Sequence, residues 1–203
     1  MSTSTTLPGV RRRDHPYHHG DLRAALLERA AEQLRTGSPA DLSLRRLARD
    51  LGVSHAAPSR HFPDRQAFLT ALAAAGWQRL DAELGAADPG PDAGLRSRVL
   101  ALGRAYVRFA TSEPALLELM FARKATGEAS HGADGVSGPS AVVLDGQRRG
   151  DVVPGDPDTL AATLWAGLHG VAALSVSGAL PDADVDRLLV QTIDALLDGL
   201  RPR

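Results

Sequence analysis

Apolar positions recur at helical spacing along most of this chain. Leu22, Leu26, Ala30 and Leu34 fall at i, i+4 intervals and predict a first helix over about 21–35, with Asp21 as its N-cap beside Gly20. Leu44, Leu47, Ala48 and Leu51 follow the i, i+3, i+4, i+7 rule for one buried face and predict a second, shorter helix. Ser43 stands where a hydroxyl can cap that helix, and Gly52 where a positive φ ends it at little cost. Val53 is then an apolar plug and Ser54 a second N-cap. They open a short third helix from His55 to Phe62 whose outer positions are polar and basic. Two short helices around a Gly turn make a helix-turn-helix, whose second helix enters a DNA major groove.

The pattern continues downstream. Phe68, Leu72, Gly76, Leu80 and Leu84, widened by Leu69 and Trp77, predict a fourth helix over about 64–86. At roughly 20 residues it is about 30 Å long, a strut rather than a lid. The run from Asp88 to Asp92 contains two prolines and a glycine and marks a boundary. Helices over about 93–111 and from Glu113-Pro114 onward bury Leu95, Val99, Leu102, Tyr106, Phe109, Leu116, Leu117, Met120 and Phe121. Residues 125–140 are rich in Gly, Ser and Ala and predict a loop, followed by a short helix over about 141–149 and a turn-rich stretch to Pro157. An eighth helix over about 158–178 and a ninth over about 184–200 complete the chain, with no strand pattern and no repeat. The fold class is all-α. Residues 1–16 form a tail, 17–86 a helix-turn-helix unit with its linking helix, and 87–203 a C-terminal unit.

Charge sharpens this division. Residues 1–65 carry 11 Arg against 7 Asp and Glu, a net of +4; residues 66–203 carry 12 Lys and Arg against 17 Asp and Glu, a net of −5. Five of the seven histidines lie in the first part. A basic head on an acidic body is what a polyanion partner requires, although a difference of this size also arises as scatter. Arg11, Arg12 and Arg13 are either a solvated charge run or an arm that reaches phosphate or a minor groove. The chain has no cysteine, so disulfides and thiolate-bound zinc are excluded, as fits a reducing cytoplasm. The N-terminus lacks the apolar core of a cleavable signal. His18 and His19 are adjacent rather than at i, i+4, with no carboxylate placed beside them, so no metal or other cofactor is expected.

No charge occurs between Asp158 and Asp182, a span long enough to cross a bilayer. The segment is mainly Ala, Gly, Ser and Thr, holds His169 midway, and has no flanking Lys or Arg before Arg187. It reads as a helix buried on all sides, inside a bundle or a dimer seam, rather than as a membrane span. With the apolar stripe of the last helix it offers more apolar surface than one small domain needs, which predicts a homodimer. The expected seam positions are Leu164, Leu168, Val185, Leu189, Ile193 and Leu196.

These residues resemble a known family. Gly52-Val53-Ser54, six residues, then His61-Phe62-Pro63-Asp64-Arg65 is similar to the helix-turn-helix signature of TetR-family (tetracycline-repressor-like) transcriptional regulators. Tyr17-His18-His19-Gly20-Asp21-Leu22-Arg23 resembles one branch of it, and Trp165-Ala166-Gly167-Leu168-His169-Gly170 resembles the Trp/His/Gly motif of that branch's C-terminal domain. The resemblance implies an all-helical dimer of about nine helices bound to double-stranded DNA. It also implies a C-terminal domain that takes a small-molecule effector among helices four to eight. Two positions depart from the family pattern. Pro58-Ser59 stands where an aromatic Tyr usually follows Leu or Pro, and Arg65 where Lys is usual.

Phosphate contacts are expected from Ser43, Arg45, Arg46, Ser59, His61 and Arg65, and base contacts from Ser54, His55, Ala56, Ala57 and Arg60. For His61 the competing reading is a backbone-capping histidine. Phe62 is expected in the core. Tyr106, Phe109, Leu117, Met120, Phe121, Trp165 and His169 are candidate effector contacts, each of which could equally be plain core or dimer packing. Two rival functions have weaker support. An enzyme would need a nucleophile–base pair, metal-ligand spacing or phosphate loop, and none stands out; a DNA-independent interaction module would not need the basic helix-turn-helix.

Overall fold

The computed structural model describes residues 22–125 and 137–201. The basic tail, the Tyr17–His19 run, the Asp21 cap and most of the expected 125–140 loop lie outside them. The described residues form eight α-helices: α1 (Leu22–Leu34), α2 (Leu44–Asp50), α3 (Arg65–Ala87), α4 (Leu95–Ser112), α5 (Pro114–Ala125), α6 (Ser137–Arg149), α7 (Pro157–Val176) and α8 (Asp182–Leu200). Among the described residues there is no strand, so the all-α expectation holds.

Helix α4 is the centre of the C-terminal bundle and packs against α3, α5, α6, α7 and α8. Helix α1 packs on α2, α3 and α5. One hydrophobic cluster runs from Leu26 on α1 through Phe68, Leu72 and Trp77 on α3 and Tyr106 and Phe109 on α4 to Ile193 and Leu197 on α8. Helix α3 therefore belongs to both ends of the core, as its four-residue spacing predicts.

Several boundaries differ from the sequence reading for local reasons. Helix α6 begins at Ser137, so the expected loop is shorter on its far side; Pro139 stands in the first turn, where its missing N–H breaks no helical bond. Helix α7 begins at Pro157 because Asp156 caps it, accepting from the backbone N–H of Thr159 at 3.0 Å. Helix α8 starts at Asp182, whose carboxylate joins Asp184 in a first turn that favours negative charge.

The single chain already covers most of the expected C-terminal seam. The sequence pattern sets Leu164, Leu168, Leu189 and Ile193 against a second subunit, yet each is at most 4% exposed within the single chain. They point at α4, where a methyl placed on Gly103 would lie 3.0 Å from Leu168 Cδ2 and 3.2 Å from both Ile193 Cδ1 and Leu189 Cδ1. The stronger apolar stripe is consumed by the chain's own bundle. Val185 and Leu196 stay half-buried.

Candidate DNA interface and effector groove

The helix-turn-helix is built on a well-formed helix end. After α2, Gly52 takes φ +70°, its N–H donates to Arg49 O at 3.1 Å, and the Val53 N–H reaches Ala48 O at 2.9 Å. This is the paired closure of a Schellman motif, and it requires the left-handed residue that glycine supplies. The N-terminal end of α2 is plainer. Ser43 is extended, as a cap should be, but its side chain makes no capping bond.

The expected third helix is not an α-helix. Ser54 to Phe62 forms a turn followed by a single 3₁₀ turn at Pro58–Arg60. Ala57 N–H donates to Ser54 O at 2.9 Å, Arg60 N–H to Ala57 O at 3.2 Å, and the N–H groups of His61 and Phe62 both donate to Pro58 O at 3.0 Å. Pro58 has no N–H and its ring opposes the preceding turn, so a regular α ladder cannot run through it. Ala57, although the residue before a proline is disfavoured in the α region, has φ −63° and ψ −41°. Pro58 and Phe62 are buried and anchor the segment from below; the Phe62 ring meets Phe68 edge-on at 5.1 Å and lies 5.5 Å beneath the Arg23 guanidinium.

That anchoring leaves Ser54, His55, Ala56, Ser59, Arg60 and His61 at the surface of one short segment, whereas Ala57 is half-buried. Ser43, Arg45, Arg46 and Arg65 are exposed beside it. The side chains are not equally available. Ser59, expected to meet phosphate, donates its hydroxyl to Ala56 O at 2.7 Å. Arg65 donates to Pro39 O at 2.6 Å and Ala40 O at 3.3 Å, tying the start of α3 to the turn before α2. Arg46 donates to Gln33 Oε1 at 3.2 Å. Among the described residues Arg45, Arg49 and Arg60 take no ion pair. Two nearby acids are already engaged: Asp50 by Arg29 and Gln33, Asp64 as the N-cap of α3 accepting from Ala67 N–H at 2.7 Å. The surface is thus left with excess positive charge and free forked donors, which suits phosphate and guanine edges.

A second set of residues joins this surface to the bundle. Glu113, in the α4–α5 junction, is 1% exposed and receives Arg35 Nε and Arg79 Nη1, each 2.9 Å from Oε1. Its Oε2 is buried with no hydrogen bond among the described residues. The Arg79 guanidinium also lies 5.7 Å over the Phe109 ring. Sequence reasoning places Glu113 only as a helix opener. Its partner Arg35 is 78 residues away, and no local pattern reveals the pairing.

Of the expected effector contacts, four gather into one cluster. Tyr106 OH and His169 Nδ1 are 2.6 Å apart, Trp165 packs 4.3 Å from the Tyr106 ring, and Phe121 lies 4.7 Å from the His169 ring and 5.3 Å from Trp77. Leu117, Phe121 and His169 line an open groove of about 710 Å³ between α5 and α7, completed by Glu118, Ala173 and Val176. Tyr106 is buried beneath it, and burial pushes its hydroxyl well above its usual range. Phe109 and Met120 are fully buried core residues, Met120 wedged against Gly76 on α3, and neither lines the groove. Among the described residues no group of three His, Asp or Glu is placed to hold a metal ion.

The profile of the tetracyclin repressor-like C-terminal domain matches residues 99–196. A solved protein of unknown function from Rhodococcus sp. RHA1 is 41% identical, over 93% of this chain and 100% of the other, with a TM-score of 0.77. A TetR-family transcription regulator from Marinobacter aquaeolei VT8 shares the fold at 15% identity and TM-score 0.69, over 89% of this chain and 96% of the other. A bacterial regulatory protein of the TetR family from Rhodococcus RHA1 does so at 19% identity and TM-score 0.65, over 89% and 97%. No curated protein matches the sequence closely enough to count as a relative. The chain has the all-helical fold of TetR-family transcription regulators. Its C-terminal half is a tetracyclin repressor-like C-terminal domain, the kind carried by the TetR family of DNA-binding transcriptional regulators.

Proposed function

We propose that this chain is a ligand-responsive repressor that binds a near-palindromic operator as a homodimer and leaves it when a small molecule enters the C-terminal bundle. The observation that carries the reading is the short 54–61 surface. Pro58 and Phe62 fix it to the core, while His55, Arg60 and His61 remain exposed. Arg60 and His55 read base edges; Arg45, Arg46, His61 and Arg65 hold phosphate, Arg65 with the donors left after its bonds to residues 39 and 40.

The homodimer is supported by α7. Its mean hydropathy over an 18-residue window is 1.4, yet only 28% of that window is buried within one chain. Ala162, Ala166, Gly170 and Leu174 form an exposed uncharged stripe at four-residue spacing. A second copy covering α7 and the outer side of α8 would bury it, and would set two DNA-reading surfaces on the order of 34–36 Å apart. The groove abuts α5, whose first residue follows Glu113. An effector that displaces α5 therefore acts on the carboxylate that holds Arg35 and Arg79, and through them on α1 and α3. Release follows if the effector binds one arrangement of these elements better than the other.

The test is to select genomic fragments with the purified protein and titrate the recovered site against salt. With three or four phosphates held per subunit, log K falls with log salt at a slope of about −5 to −7. A slope near zero, or a protein monomeric in light scattering at micromolar concentration, would refute the reading.

A further inference from the structure

The chemistry beneath the groove narrows what can occupy it. Tyr106 is 0% exposed and its hydroxyl, kept protonated by burial, needs an acceptor. His169 Nδ1, at 2.6 Å, is that acceptor. In the reverse arrangement Nδ1–H would donate to the tyrosine oxygen, leaving the buried phenolic proton without an acceptor among the described residues. A neutral imidazole that accepts at Nδ1 carries its proton on Nε2. Nε2–H is then the ring's free donor, and His169 lines the groove. The groove is thus offered one fixed N–H donor.

The rest of the lining is apolar or small. Leu117, Phe121, Ala172 and Val176 form the walls, and among the described residues Glu118 is the one charged group in the lining. It disfavours an anion, and the imidazole donor gives a cationic head no acceptor at depth.

We propose that the effector is an apolar molecule bearing an uncharged hydrogen-bond acceptor, the carbonyl of a ketone, ester or amide, met by the Nε2–H of His169. This rests on the groove being the effector site, as read above. Tyr106 is a positioning residue that acts through the imidazole, fixing which nitrogen faces the ligand.

Isothermal titration of the full-length protein with 2-decanone and with decylammonium separates an acceptor head from a donor-only head on the same tail. The ketone should bind about tenfold more tightly, the worth of roughly one hydrogen bond to a buried donor. His169→Phe, which keeps a ring against Phe121, should abolish that preference. Tyr106→Phe should reduce it by freeing the tautomer. Nitrogen-15 spectra of histidine-labelled wild-type protein should show the His169 proton on Nε2. Both probes binding equally, a preference for decylammonium, a preference untouched in His169→Phe, or a proton on Nδ1 overturns the acceptor assignment and leaves the groove as a ligand site. Neither probe binding overturns the groove itself as that site.

Discussion

Glu113 Oε1 stands 2.9 Å from Arg35 Nε, joining the start of α5 to the chain just past the end of α1. Arg79 reaches the same oxygen from α3. Because the carboxylate is buried and both guanidiniums are partly exposed, the cost of losing a cation falls on the acid left behind. Arg79→Ala should lower stability by roughly 1–2 kcal/mol. Adding Arg35→Ala should cost more than the sum of the single variants, since either arginine alone can hold the shared oxygen. Urea midpoints at unchanged m-value measure both effects. Strict additivity would show that the two arginines do not share Glu113.

Arg98 makes a comparable junction at the other end of α4. Its Nε and Nη2 grip Asp88 at 2.9 and 2.7 Å, and Nη1 reaches Asp145 at 2.9 Å. These bonds hold the Asp88 carboxyl below its ordinary value, more than offsetting its partial burial. A folded pKa below the unfolded one contributes stability that is present above the unfolded value near 3.8 and is lost as pH falls through the folded value. Stability should therefore decline below about pH 4, and Asp88→Asn should flatten that decline while lowering stability at pH 7 by about 1–3 kcal/mol. Denaturation curves from pH 2 to 7 provide the comparison.

Arg60 and Arg65 should separate in a binding assay. Arg60→Ala should relax preference at one base pair per half-site, a discrimination of about 1–3 kcal/mol. Arg65→Ala should weaken all sequences alike and reduce the salt slope by about 1 for each phosphate the side chain had neutralised. An unchanged base profile in Arg60→Ala would remove it from the readout surface.

Gly167 sits where α7 and α8 touch. A methyl there would lie 2.5 Å from Leu196 Cδ1 and 3.1 Å from Thr192 Cγ2. Gly167→Ala should cost about 1–2 kcal/mol, overpacking outweighing the roughly 1 kcal/mol that alanine gains over glycine within a helix, and should shift any dimer toward monomer by tilting the outer faces of both helices. Thermal melts and light scattering read the two effects separately. A variant as stable as the parent would mean that Leu196 re-packs freely.

The helices were legible because each buries one stripe, and stripes of Leu22, Leu26, Ala30 and Leu34 or of Phe68 to Leu84 have one solution. The turn at Gly52 was legible because its demand is local. Legibility ended where contacts are non-local. Nothing near Leu189 or Ile193 says whether α4 or a second subunit covers them, and the chain's own helix does. The sequence reads as a third helix through Pro58, whose ring argues against a regular α ladder, and the outcome, a 3₁₀ turn anchored by Phe62, depends on the core beneath. Of the effector candidates, Tyr106 and His169 meet across a separation of 63 residues, while Phe109 and Met120 share the aromatic or long apolar character and the helical spacing yet fill the interior.

The chain's two tryptophans both border the Tyr106–His169 cluster, Trp77 against Phe121 and Trp165 against Tyr106. Intrinsic emission is therefore a one-ended gauge. It brightens, quenches or shifts with the surroundings of α5 and α7, and is blind to fraying of the 54–61 surface. Optical and hydrogen-exchange views of this molecule should disagree most where it touches DNA.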